Sequence, residues 1–201
     1  MRGKILKTLV SSLLVVMLTI LSACWSNAES RVDLQYYSIE EFLADFGTKI
    51  EKQDSNDACC LFKYDAIKTS VAENLQCEVE FGLIFAHVKT LGGGLRPLRY
   101  LYENTSHFYI LRRGNNVIGE IVCRSYVSSY SIKYETTWEC QVDGIDVGIG
   151  NNYENWIAKF AVPGARVVLE IRSENCGLSG LNEEKVLDII TPIIESRYSI
   201  K

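Results

Sequence analysis

The amino-acid sequence predicts an α+β domain: an antiparallel meander sheet of about six or seven strands, with an N-terminal and a C-terminal helix packed on it. Three observations predict this class. Clear helical periodicity flanks the chain's middle, near its start and at its end. Between the two helical segments, short alternating runs are separated by turn pairs rich in Gly, Asn, Asp and Pro. The best-defined runs are apolar on one parity only, as an antiparallel sheet with one covered and one wet face requires. A length of 201 residues suits one domain. A composition of 47% hydrophobic and 23% charged residues, with 3 Pro and 14 Gly, excludes a disordered, collagen-like or multi-span membrane chain.

The elements follow in chain order. Ser38 and Glu41 form a capping box, and Ile39, Phe42, Leu43, Phe46 and Ile50 recur at helical spacing, which predicts a helix over 39–52. Residues 53–57 are a turn. Residues 58–76 are ambiguous: Leu61, Tyr64, Ile67, Val71 and Leu75 suit a helical stripe, while 59–64 also suits a short strand. Residues 78–88 are apolar on both parities, which predicts a central strand buried on both faces, ended by Gly92-Gly93-Gly94. Strands over 107–112 and 117–124 flank Gly114-Asn115-Asn116. Strands over 135–142 and 145–150 flank Asp143-Gly144, a strong two-residue hairpin signal. That turn sets Trp138, Cys140 and Val142 opposite Ile149, Val147 and Ile145, with Glu139, Gln141 and Asp146 on the other face. Around Pro163-Gly164, Trp156, Ala158, Phe160 and Val162 share a face with Ala165, Val167, Leu169 and Ile171. Asn182 is the expected N-cap of a last helix whose stripe is Val186, Ile189, Ile190, Ile193 and Ile194, with Pro192 expected to kink it. PsbP/Mog1-like and cystatin-like domains share this element order; the likeness is one of order alone.

The N-terminus reads as an address. Arg2, Lys4 and Lys7 precede an apolar run over 9–21, too short to span a bilayer and suited to a signal peptide. The run closes on Leu21-Ser22-Ala23-Cys24. All four positions resemble the lipobox of bacterial lipoproteins: aliphatic, small, Gly/Ala/Ser, Cys. The resemblance covers residues 1–24 and implies cleavage before Cys24 and its acylation. Cys24 would then anchor the protein to a cell membrane or outer membrane on the extracytoplasmic side. The implied organisation is a signal peptide over 1–23, the lipidated Cys and tether over 24–35, and one domain over 36–201. Ser26-Asn27-Ala28 also satisfies an ordinary secretory cleavage rule, and in a eukaryotic secreted protein Asn104-Thr105-Ser106 would be a glycosylation sequon.

Setting Cys24 aside leaves six cysteines, Cys59, Cys60, Cys77, Cys123, Cys140 and Cys176. An even set in an exported chain suggests disulfides, and buried free thiols are the alternative. Without the three N-terminal cations the chain carries 18 basic against 25 acidic side chains, a net charge of −7. So acidic a domain is a poor binder of nucleic acid.

No motif of nucleophilic, metal or nucleotide chemistry is present, and neither cofactor nor metal is expected. His87 and His107 sit on apolar strands, where a structural role is expected. Arg96, Arg99, Tyr100, Tyr102, Arg112 and Arg113, with Lys89 nearby, form a local basic and aromatic concentration that suits an anion- or glycan-binding surface. Tyr36-Tyr37 is expected to staple the first helix to the sheet. Together these features point to a membrane-anchored, non-enzymatic binding or interaction module of the cell envelope, its partner an envelope protein or a small ligand. A small enzyme with a site of dispersed residues, and an inhibitor or immunity lipoprotein, are the alternatives.

Overall fold

The structure, a computed structural model, describes residues 30–200 except 94–95, 153–154, 175–176 and 179; of 93, 96 and 152 it describes the backbone alone. Residues 21–24, which resemble a lipobox and include Cys24, lie outside the described residues, as does Cys176. In order, the elements are β1 (Ser30–Tyr36), α1 (Ile39–Asp45), β2 (Ile50–Glu51), β3 (Cys59–Phe62), α2 (Tyr64–Leu75), β4 (Glu78–Gly93), β5 (Arg96–Arg113) and β6 (Asn116–Val127). There follow β7 (Trp138–Val142), β8 (Ile145–Asn152), β9 (Asn155–Val162), β10 (Ala165–Ser173), α3 (Glu183–Glu195) and β11 (Arg197–Ile200).

The class is α+β and the sheet is mostly antiparallel, but its make-up departs from the expected six or seven strands in a meander. Nine strands form one sheet, in the order β1-β4-β5-β6-β10-β9-β8-β7, with β2 added parallel to β5. β3 and β11 pair as a separate ribbon. Residues 30–35, expected in the tether, belong to β1, which pairs with β4 along its whole length. The sheet is two meanders joined at a seam. β4-β5-β6, with β1 added at its outer edge by a longer connection, is one and β7-β8-β9-β10 the other, and β10 returns to pair with β6 from Ala165↔Val127 to Ser173↔Gly119.

In the second meander the register is the one the alternation dictates. Trp138 faces Ile149, Cys140 faces Val147, and Trp156 faces Ile171. Asp143 (φ 48°) and Gly144 (φ 71°) are both left-handed, as the two-residue turn demands.

The first meander is less regular. β4 and β5 slip register between Phe81 and Ile84, between His87 and Val88, and between Leu91 and Gly93. The first slip explains the mixed parity of 78–88. A bulge carries the inward set from Val79 and Phe81 to Ile84 and Ala86, so both parities look apolar although only one face is fully covered. Phe85 and Phe108, in edge contact at 5.9 Å, face the other side and stay half-buried.

All three helices cover one face. α1 ends at Asp45 rather than running to 52, because Gly47 takes a left-handed φ of 82° and Ile50 is drawn into β2. Its capping box forms in part: Glu41 N–H donates to Ser38 Oγ at 3.1 Å, and Glu41 Oε2 accepts from Tyr37 N–H at 3.0 Å. Tyr36 packs edge-on against Phe42 at 5.6 Å, whereas Tyr37 is 70% exposed and staples nothing.

The ambiguous stretch 58–76 resolves into both readings in turn, strand β3 and then helix α2. β3 is buried on both sides. Cys60 and Phe62 enter the larger core with α2, α3 and the second meander, while Cys59 and Leu61 enter a smaller core under α1. α3 runs through Pro192 without ending. Proline cannot donate to the carbonyl of Asp188, and Asn74 Nδ2 on α2 reaches that oxygen at 3.4 Å; Ser70 Oγ donates to the next carbonyl, of Ile189, at 2.7 Å. Two polar side chains thus stabilise the helix where its own ladder is weakest. Among the described residues no helix is long and apolar enough to cross a membrane.

Candidate functional site

The sheet's second face carries no helix among the described residues. It is crossed instead by the strap 128–137, which leaves β6 and runs over β10, β9 and β8 to start β7 at the far edge. Both ends of the strap are tied down. Asp57, 3% exposed, accepts from Ser128 N–H at 3.2 Å and Ser128 Oγ–H at 2.9 Å, and Arg166 Nε donates to Ser128 O at 3.0 Å. Further along, Tyr134 OH donates to Glu170 Oε1 at 3.0 Å and Lys159 Nζ donates to Tyr134 O at 2.7 Å. Thr137 N–H then donates to Ile149 O at 2.8 Å. Gly150 is needed beneath the strap, since a Cβ there would overlap the carbonyl of Glu135.

Glu170 is the electrostatic pin of this face. It is 5% exposed, pairs with Arg124 across the seam, and accepts from Arg172 Nε at 2.7 Å. Arg172 in turn reaches Glu120 at 2.7 Å. Four charges and the Tyr134 hydroxyl are mutually satisfied, which is the condition for a buried ionic cluster to persist.

Two cavities flank the strap. The larger, of ≈ 660 Å³, lies toward the second meander, with Glu139, Gln141, Asp146 and Lys159 in its wall. The smaller, of ≈ 470 Å³, lies toward the first meander, with Arg31, Asp33, His87, Glu103 and Asn104. Ser129, Tyr130 and Ser131 line both, so the two form one trough with a ridge across it. Tyr130 stacks on Tyr126 at 4.4 Å with 10° between the rings, and is itself 48% exposed. Burial pushes the Tyr126 hydroxyl up to about 12, so it stays neutral.

Most charges in the trough already have partners. Arg31 pairs with Glu103 at 3.2 Å, His87 Nδ1 lies 2.6 Å from Asp33 Oδ1, and Gln141 Nε2 donates to Asp146 at 2.9 Å. The side chains of Asn104, Ser129, Ser131 and Glu139, and the hydroxyl of Tyr130, bond to nothing among the described residues.

His87 Nε2 also lies 3.4 Å from Ser106 Oγ, which puts Asp33, His87 and Ser106 in the order of a nucleophilic relay. The resemblance stops at access. Ser106 is 3% exposed, and it sits mid-strand between ladders to β4 and β6. Flanking backbone amides engaged in a sheet cannot serve as oxyanion donors. Ser106 and Asp33 therefore hold the His87 ring at the cavity wall.

The residues singled out in the sequence do not gather into one surface. Tyr102 is fully buried and donates to Ser125 O at 2.7 Å, and Tyr100 packs beside the smaller core. Arg99 pairs with Glu51, Arg112 pairs with Glu80 at 2.7 Å, and Arg113 donates to Leu75 O at the end of α2. Only the backbone of Arg96 is described. Arg99 and Arg112 are separated by roughly 40 Å of strand. The described cysteines, Cys59, Cys60, Cys77, Cys123 and Cys140, are free thiols. Burial pushes each of them up, Cys60 to about 12, so the reactive thiolate is scarce. They pack as small hydrophobes, and the expected disulfides are absent among the described residues.

The sequence leaves 125–134 unassigned, since it shows neither period, and sets 135–137 in a strand that in the structure begins only at Trp138. The one signal within 125–134 is the Tyr126/Tyr130 spacing beside several serines, which singles out no element by itself. Comparison with known proteins finds no family model that matches the chain, and no curated protein or solved structure similar to it.

Proposed function

We propose that this protein is a membrane-anchored extracytoplasmic lipoprotein, held by Cys24, whose domain is a non-enzymatic binding module using the trough beside the strap. The observation that carries the binding reading is the trough itself. It is open and wide enough for a ligand, its floor is sheet, its ridge is a stacked tyrosine pair, and its unengaged groups are donors and acceptors with no partner among the described residues. The lipobox at residues 21–24 supports the anchor.

Each half has its own test. Cys24→Ser should leave a product that is unprocessed or leaves the membrane fraction, with no acyl mass; unchanged mass and fractionation overturn the anchor. Hydrogen exchange of the anchored protein exposed to envelope extract should show added protection in 128–137. Protection confined to other elements overturns the trough as the binding site. The burial of Ser106 weighs against a small hydrolase built on the Asp33–His87–Ser106 order; labelling of Ser106 by a serine-directed fluorophosphonate would overturn the binding module in its favour.

A further inference from the structure

We infer that the trough's ligand is a neutral saccharide chain, laid across the Tyr130 ring with sugar units in the cavities on either side. The inference rests on the binding reading above and names its ligand class. Charge comes first. In the larger cavity the two acids Glu139 and Asp146 are offset in number by Lys159 and Arg166, and in the smaller one Arg31 and Asp33 are already paired with Glu103 and His87. Such a surface offers no excess field to concentrate a phosphate or a polycation. A charged ligand would also have to displace internal partners, which leaves buried or half-buried charges unmatched.

The groups left over are of a different kind. Asn104, Ser129 and Ser131 supply one amide and two hydroxyls, and Tyr130 a phenol; Glu139 is a lone acceptor. Paired hydroxyl, amide and carboxylate groups match the dense vicinal hydroxyls of a sugar, each both donor and acceptor. The stacked tyrosines supply the other half of sugar recognition. Stacking on Tyr126 fixes Tyr130 with its free face toward solvent, and the C–H face of a pyranose ring packs on such a platform with little entropy lost by the protein. The two cavities abut this ring through the same three strap residues, so a chain of three or four units reaches both.

The test is calorimetric titration of the full chain in a detergent without a sugar head group. The probes are the tetramers of β-1,4-linked N-acetylglucosamine, β-1,4-linked glucose and α-1,4-linked glucose. At least one should bind saturably below about 10 mM. Tyr130→Ala should weaken it by roughly tenfold or more, Tyr130→Phe by no more than about threefold, and Tyr37→Ala, on an exposed tyrosine away from the trough, not at all. No saturable binding by any tetramer, or binding indifferent to Tyr130→Ala, overturns the saccharide assignment. Envelope-induced protection of 128–137 that persists alongside that failure leaves the trough as the site and shows that its ligand is of another class. Loss of both overturns the trough reading with it.

Discussion

The two meanders of the sheet are built to different standards. β7 to β10 pair without a slip, and neither of the two buried side-chain atoms left unbonded among the described residues belongs to them. β4 to β6 slip register at four places, and both unbonded atoms, His107 Nε2 and Tyr109 OH, stand on β5. The difference teaches that regular alternation and full polar satisfaction go together. Where bulges re-aim side chains, a strand keeps polar groups in positions the core cannot serve.

The comparison can be broken most severely at the seam between the halves. Glu170→Ala leaves Arg124 and Arg172 without their shared carboxylate beneath the strap, and unfolding by denaturant should show a loss on the order of 3–5 kcal/mol. A loss below about 1 kcal/mol would mean the two meanders are held by their strand ladder alone.

The irregular half should carry an acid-sensitive group. Burial lowers His107 from 6.5 to about 3, so the folded state resists a proton that the unfolded chain accepts. Its stabilising contribution is complete above pH 6.5 and is lost as the pH falls toward 3. Melting temperature followed between those values should decline more steeply in the wild type than in His107→Phe. Equal slopes would show that the carboxylates alone set acid stability.

The smallest effect has the opposite sign. The Tyr109 hydroxyl is buried with no partner, while its ring stacks on Tyr64 at 6.1 Å. Tyr109→Phe keeps the ring and removes the orphan, and should stabilise the domain by about 1 kcal/mol. A destabilised variant would reveal a partner for that hydroxyl and narrow the contrast between the meanders.

The same contrast marks what could be read from the chain. In the second meander a two-residue turn and one-sided alternation leave a single register, so the partners of Trp138, Cys140 and Trp156 were legible residue by residue. In the first, the bulge at Phe81/Ile84 erases the parity signal and imitates a strand buried on both faces. Residues 30–35 looked like a polar tether because β1 is an edge strand, most of whose side chains are exposed. The trough was not legible. It joins Asp33, His87 and Asn104 to Tyr130 and Glu139 through pairings far apart in sequence, and the strap that brings them together has no period to betray it.

The seam between β6 and β10 also sets an order of events. Its partners are separated by 38 residues at Ala165↔Val127 and by 54 at Ser173↔Gly119. During synthesis the whole of β7, β8 and β9 must emerge before β6 gains its second neighbour. Until then the nascent chain presents a long, Ile- and Val-rich strand with one unpaired backbone edge, the kind of surface that other chains add to. Chaperone engagement and aggregation should therefore depend on how quickly residues 165–173 follow residue 127, a kinetic vulnerability that the finished molecule, with the seam closed, no longer displays.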